Sequence, residues 1–552
     1  MSAENPTTVP RHVDAIVVGA GFAGMYMLHR LRGLGLSTQV FEAGSDIGGT
    51  WFWNRYPGAR CDIESLEYSY SFDNDLQQSW RWSERYASQP EILRYIRHVA
   101  ERFDLRRSIQ LGTRVAGALF DHGSSRWTVT TAAGEALSAR FCIMATGCLS
   151  AAKVPQIPGL DRFEGSTYHT GLWPEGGVDF TGQRVGVIGT GSSGIQTIPM
   201  VAKEAAQLLV FQRTPHFSMP ARNRPLETDE ERDTKARYGE MRKAARESVA
   251  GVAGYPVPTQ SAVDVDEAQR RAAYERHWND GRTAIGRVYT DLLTDEAANE
   301  TAADFVRAKI RAMVFDPDVA ESLLPRHPIG TKRVCLDTGY FDTYNQPNVT
   351  LVDLRKQPLV EFTSRGVRTE AATYELDAVV FATGFDAMTG SLLAIDIRTG
   401  TGASLREHWA AGPRTQLGLM SAGFPNLFFI TGPGSPSVLS NMIVCIEQHV
   451  DWIADCLNEL QRRGATRIEA TTAAEDDWVE HVNEVAHRTL FPIANSWYMG
   501  ANVPGKPRVF MPYVGGVGPY RKICDAVAAD GYRGFEIFEL GTETIGGSVS
   551  RH

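Results

Sequence analysis

The chain has 552 residues, enough for two or three domains that each bury a core. Hydrophobic residues at 43% and charged residues at 22% are those of an ordinary globular protein, and a net charge of -9 argues against a nucleic-acid partner. No apolar stretch approaches the ~18 residues of a membrane span, Met1 to His12 lacks the apolar core of a secretion signal, and the seven cysteines contain no C-x-x-C pair. A cytoplasmic protein without membrane association is expected, its cysteines mostly small core residues.

The apolar run Ala15–Val18 leads into Gly19-Ala-Gly21-Phe-Ala-Gly24, then a helix with Met25, Leu28 and Leu31, then the strand Thr38–Glu42. This is a βαβ unit of about 30 residues. Gly19 makes the tight turn, Gly21 lets backbone approach a pyrophosphate, and Gly24 lets helix and strand pack closely. The phosphates then meet free N–H groups at a helix N-terminus. Glu42 stands ~20 residues on, where a carboxylate accepts a ribose hydroxyl. A second glycine pair follows at once in Gly48-Gly49-Thr50-Trp51, which selects FAD for this unit.

The pattern returns in Arg184–Ile188, Gly189-Thr-Gly191-Ser192-Ser-Gly194, a helix to about Ala206, and Leu208–Gln212. Here the strand ends on Gln212-Arg213-Thr214, without a carboxylate. A guanidinium holds a 2′-phosphate that a carboxylate would repel, so NADPH is expected over NADH, with Lys332 as a further cation. The plainer reading of Arg213 is a surface cation at a strand end. Two buried-looking strands end in Ala145-Thr-Gly147 and Ala382-Thr-Gly384, on either side of the second unit. The expected fold is therefore α/β, with two Rossmann-like dinucleotide-binding domains, the second inserted in the first.

The expected order is a first FAD-binding part over 1–150, an NADPH-binding part over 151–223 with a linker at 163–174, and a helical insertion over 224–328. A second NADPH-binding part over 329–384 and a second FAD-binding part over 385–552 follow, the latter with a mobile loop near 495–510. The insertion, interrupted at Gly251 to Pro258, either covers a cleft or only decorates the domain.

Phe163-Glu-Gly165-Ser-Thr-Tyr-His169-Thr-Gly-Leu-Trp173-Pro174 resembles the fingerprint of type I Baeyer–Villiger monooxygenases, nearest the phenylacetone and steroid monooxygenase group. Gly48 to Trp51 with Arg55-Tyr-Pro-Gly58, Phe211 to His216, Asp377 to Phe385, Gly432-Pro-Gly434 and Asn495 to Tyr498 are similar to further signatures of that family. The resemblance implies NADPH- and O2-dependent insertion of oxygen beside a ketone carbonyl through a flavin C4a-peroxide, giving esters or lactones, with sulfoxidation as a side activity. Aryl-alkyl, cyclic or steroidal ketones are the implied substrates, and no metal is required.

By the same resemblance Arg333 stabilises the anionic oxygen intermediates, and Asp62 pairs with it. The alternative is a structural Arg–Asp pair. Trp497 reaches the pocket from the loop beside cofactor or substrate, and Leu439 and Met442 line it. Cys148 and Cys335 shape specificity, present an oxidisable thiol, or simply pack. His169 is read as structural or conformational rather than as a general base, and Phe163 and Trp173 as core anchors of the linker. The rivals are an N- or S-oxygenating flavin monooxygenase and a non-enzymatic protein that kept the scaffold; the missing C-x-x-C excludes a disulfide reductase.

Overall fold

The computed structural model describes residues 11–255 and 257–539. The terminal stretch Met1 to Pro10, read above for a secretion signal, and Pro256 lie outside them. Two parallel-rich sheets organise the chain. The first has eight strands, with Arg11–Val18 between Thr38–Phe41 and Ala136–Met144. Val18 stands opposite Phe41 on one side and Met144 on the other, so the strand ends align at Gly19. Apolar residues run almost unbroken along these strands because helices cover the faces of a parallel sheet. Asp396–Thr399 and Leu427–Phe429 complete this sheet from much later in the chain.

The second sheet has five strands in the order Val349–Asp353, Gln207–Gln212, Arg184–Ile188, Ala378–Phe381 and Ser166–His169. All of them pair in parallel, and all lie in sequence between Met144 and Asp396 of the first sheet. The second unit is thus inserted in the first. Its helix, Ser192–Val201, stops short of the expected Ala206. Pro199 sits near its end, and a proline carries no N–H to continue the ladder.

The two chain crossings lie side by side. Met388 N–H donates to Cys148 O at 2.7 Å, Asp386 N–H to Ala151 O at 2.9 Å, and Lys153 N–H to Gly384 O at 3.1 Å. Between the second sheet's early and late strands runs the insertion, with helices Thr228–Ala236, Tyr238–Glu247, Glu267–Asp280, Glu296–Met313 and Pro317–Leu323.

That insertion belongs to two cores. Tyr238, Ala250 and Val252 are buried with the first sheet's helices, whereas Tyr274, Trp278, Ile285 and Val306 are buried with the second sheet. Arg242 fixes the first half by donating to Glu67 O at 3.0 Å and Ser69 Oγ at 2.7 Å. The 22-residue helix Met442–Arg463, capped by Asn441 and closed by Gly464 in the left-handed region, packs beneath the first unit. Among the described residues no helix is long and apolar enough to cross a membrane, and all seven cysteines are free and buried.

Candidate functional site

At the first glycine turn, Gly19 has φ +106° and its Cβ position lies 2.5 Å from Ala145 O. A Cβ on Gly24 would lie 1.8 Å from Gly19 O, so helix and strand touch backbone to backbone. Gly21 begins the helix Phe22–Gly33 and provides no side-chain cap, which leaves the first-turn amides to an outside acceptor. The Gly48–Gly49 pair meets this turn directly: a Cβ on Gly49 would lie 2.9 Å from Gly21 Cα. Thr50 is exposed at the start of the short helix Thr50–Trp53, while Trp51 is buried and donates through its indole to Tyr68 Oη at 3.1 Å.

Glu42 has a role that the sequence reading missed. Its carboxylate accepts from Ala20 N–H and from Gly44 N–H, each at 2.7 Å. It therefore ties the glycine turn to the following loop, and its remaining lone pairs are what a ribose hydroxyl could use.

The second turn repeats the first. Gly189 has φ +110° with Ala382 O 2.5 Å from its Cβ position, and a Cβ on Gly194 would lie 2.3 Å from Gly189 O. The two Ala-Thr-Gly tripeptides thus press on the two turns in the same way. Nothing comes within 4 Å of a Cβ at Gly191, so this turn stands open. Ser192 is exposed, and its hydroxyl lies 3.1 Å from Cys335 Sγ, beneath the turn. Burial pushes that thiol up to about 12, so it is not a reactive thiolate at neutral pH. Thr214 O accepts from Thr190 Oγ1 at 3.1 Å.

Arg213 is exposed, Lys332 is half-buried, and among the described residues neither makes a hydrogen bond or ion pair. Burial and then the neighbouring Arg213 lower the Lys332 pKa, and burial and Arg213 do the same to Lys153. Both lysines therefore feel Arg213, while Lys153 also donates to Asn502 O and feels Asp386; the positive field at the end of this strand suits a multiply charged anion. Lys153 was not read from the sequence as part of this group.

The Arg55-Tyr-Pro-Gly58 segment joins the two units. Tyr56 Oη donates to Gln196 Oε1 at 2.8 Å, and a Cβ on Gly58 would lie 2.3 Å from Gln196 O. Next along the chain comes Asp62. Arg333 grips both its oxygens, Nε–Oδ2 at 2.8 Å and Nη2–Oδ1 at 2.7 Å, and donates a third bond to Val438 O at 2.9 Å. Asp62 first, against the cost of burial, holds the Arg333 pKa well above the usual arginine range. The cation is permanent, and its fork is fixed in direction.

Arg333 lines a cavity of about 250 Å3. The other walls come from the insertion (Val249, Tyr255, Thr283, Arg287, Leu293), from Val438 and Leu439, and from Phe491 and Tyr498. Burial pushes the Tyr498 phenol up to about 12, so it stays protonated beside Arg333. Leu439 was expected here. Met442 and Cys148 instead lie in the apolar cluster with Leu439 and Val438, outside the cavity lining. Cys148 is turned away because its thiol donates to Thr431 O at 3.1 Å. The insertion residues were not singled out from the sequence; the irregular break that starts at Gly251 was the signal for two of them, Val252 and Tyr255, and Thr283, Arg287 and Leu293 had none.

Trp497 is partly buried in the same cluster, its ring 4.1 Å from that of Tyr498. The stretch around it is pinned to the crossing by Lys506 on Asp386 at 2.5 Å and Asn502 on Phe385 O at 2.7 Å. In the linker, Trp173 is buried in the second unit's core, and Phe163 packs edge-on to Phe362. A Cβ on Gly165 would strike the Phe163 ring at 2.4 Å, and Pro174 O closes a turn from Gly177 N–H at 3.2 Å. His169 is buried; its Nδ1 accepts from Gly171 N–H at 2.9 Å, and Nε2 faces Thr383 at 3.4 Å. Burial lowers its pKa, so a neutral ring bridges strand and crossing.

Two superposable glycine turns in nested parallel sheets, with an arginine-lined cavity beside their junction, define a two-dinucleotide oxidoreductase. A family model described as pyridine nucleotide-disulphide oxidoreductase matches residues 16–245. A Baeyer–Villiger monooxygenase of Pseudooceanicola batsensis is 41% identical over 536 residues, covering 96% of this chain and 97% of that one. A solved structure of an oxidised steroid monooxygenase bound to NADP is 54% identical, with a TM-score of 0.92 over 96% of this chain and 100% of its own. The chain belongs to the Baeyer–Villiger monooxygenase family. A phenazine N-monooxygenase of Lysobacter antibioticus is also 42% identical, covering 95% of this chain and 97% of its own, so membership alone does not separate carbon from nitrogen oxidation.

Proposed function

We propose that the chain uses FAD, NADPH and O2 to oxidise ketones to esters or lactones, and that it oxidises sulfides as a side activity. The observation that carries this reading is the doubly bonded Arg333–Asp62 pair at the wall of a largely apolar cavity. FAD, when bound and reduced, supplies the activated oxygen. The residues fit it: the Gly21 and Gly49 backbones approach with no side chain between them, and uncapped amides stand at the helix start. NADPH fits the open turn at Gly191, with Arg213, Thr214, Lys332 and Lys153 around the 2′-phosphate.

The protein's share of the chemistry is electrostatic. Insertion of oxygen beside a carbonyl passes through an anionic tetrahedral adduct, which a fixed cation in a dry site stabilises. Asp62 spends its charge on aiming the Arg333 guanidinium, and Val438 O removes a further degree of freedom. Tyr498, its phenol pushed up to about 12 by burial, is too weak an acid to protonate the adduct, and His169, neutral and outside the cavity lining, carries no imidazolium proton. Leu439 and Phe491 present apolar surface to the cavity, and aryl-alkyl, cyclic and steroidal ketones are the substrates proposed for it. The free, buried cysteines suit a cytoplasmic enzyme.

The test is a panel of ketones, sulfides and aromatic amines incubated with NADPH and air, with mass spectrometry for one added oxygen. Esters or lactones are expected from the parent. Arg333→Ala retains flavin but loses ester formation by roughly 10²–10³-fold or more. Nitrogen or sulfur oxidation without any ester overturns the reading, as does coupled ester formation by Arg333→Ala.

A further inference from the structure

Two guanidinium groups line the cavity, and they are in different states. Arg333 is held by Asp62 and Val438 through three of its five N–H donors. Arg287, at the end of the single turn Ala284–Arg287, makes no hydrogen bond or ion pair among the described residues. The carboxylates around this part of the insertion are occupied elsewhere. Glu64 holds Arg85 and Arg282, Glu67 accepts from Ala253 N–H, and Asp291 accepts from Ala262 N–H and Ser261 Oγ.

Burial lowers the Arg287 pKa, and the only group that acts the other way is Tyr255. That phenol shares a hydrogen bond with Thr283 at 3.1 Å. Nor does Arg287 belong to the phosphate cluster: Arg213 perturbs Lys332 and Lys153, but none of these three perturbs Arg287.

A half-buried guanidinium that lines a cavity and has no protein partner leaves its donors free for a ligand, and its planar fork matches a carboxylate. We infer that Arg287 is a specificity-determining residue that receives the carboxylate of a keto acid whose carbonyl lies toward Arg333. The inference rests on the reading under Proposed function, since it names a substrate class for that same cavity.

The test compares an aryl-alkyl keto acid with its methyl ester on the FAD-loaded enzyme. A charged hydrogen bond in a partly dry site corresponds to about 10–100-fold in binding. The parent is expected to favour the acid by that factor in kcat/KM. In Arg287→Gln the acid-to-ester ratio falls by the same factor, carried by KM with kcat for the acid retained, and Arg287→Lys recovers part of it. A non-oxidisable hydroxy-acid analogue, titrated calorimetrically against enzyme of matched flavin content, weakens in parallel. Equal handling of acid and ester by the parent, or a ratio and an analogue affinity unchanged in Arg287→Gln, overturns the inference. If no ketone is oxidised, the proposed function fails, and the analogue titration alone still decides whether Arg287 binds a carboxylate.

Discussion

The two glycine turns are nearly the same object in backbone terms. Their helix-capping glycines, Gly21 and Gly191, have φ/ψ of -82°/-166° and -82°/-167°. The first glycine of each turn, Gly19 or Gly189, is pressed by the carbonyl of the alanine that follows a neighbouring strand, Ala145 or Ala382. What differs is the surroundings. The first turn is roofed by Gly48–Gly49 and tied down by Glu42, whereas the second is open at Gly191, with Arg213 just past the end of the next strand and two lysines in its field. A roofed site suits a group that stays, and an open one suits a group that comes and goes each turnover. On the proposed assignment of FAD to the first turn and NADPH to the second, near-identical local backbone is set to different uses by its neighbours.

The largest effect that could break this comparison comes from the third glycines. Gly24→Ala and Gly194→Ala each drive a methyl into a backbone carbonyl, at a cost of about 1–3 kcal/mol or more. Gly24→Ala is expected to yield colourless protein with a lowered Tm. Gly194→Ala is expected to remain yellow but to show no NADPH-driven flavin reduction. Equal flavin loss from both variants would show that the two turns do not serve separate cofactors.

Arg213→Ala comes next. Removing charge-assisted bonds to a phosphate costs ~1.5–3 kcal/mol, so KM for NADPH should rise about 10–100-fold while KM for NADH stays nearly constant. Parallel loss with both cofactors would return Arg213 to a plain surface cation.

A subtler contrast separates the second glycines. Gly191→Ala meets no atom within 4 Å, so Tm should hold while NADPH binding weakens. Gly21→Ala places its methyl 3.3 Å from Gly49 Cα and should lower Tm as well as flavin retention. Thermal melts with and without added cofactor distinguish the two.

The smallest effect is in pH. Burial and Arg213 lower the Lys332 pKa, so in the free enzyme this group loses its proton below the usual lysine range. Its charged form attracts phosphate, and NADPH affinity should therefore fall as pH rises through that lowered pKa. Part of a surface-type ion pair, ~1 kcal/mol or less, amounts to a few-fold change in KM. Lys332→Arg should flatten the profile; an unaltered slope would move the titration to another group.

Much of this was legible in the sequence because the relevant signals are local. A glycine spacing, a strand-end residue and an apolar run each declare themselves within about 30 residues, and the nesting followed from two Ala-Thr-Gly strands flanking the second turn. The missed features are those made by distant chain. Glu42 was read as a ribose ligand, but its bonds to Ala20 and Gly44 need the folded loop. Lys153 joins the cation group only because the two crossings lie together. Met442 ends a pocket-like segment and Cys148 comes just past the first Ala-Thr-Gly, yet both pack in the apolar cluster outside the cavity lining. The insertion was left between lid and ornament, since periodicity shows that a helix has an apolar face and not which core receives it.

That division of the insertion has a mechanical consequence. One half is anchored in each core, so any rotation of one sheet against the other must be absorbed in the short stretch where the chain changes allegiance. Tyr255, at the near end of that stretch, lines the cavity together with Val252 and Ala250, which belong to the first core. The cavity wall therefore ends at the joint between the two halves, and the outline it offers is set by where they stand.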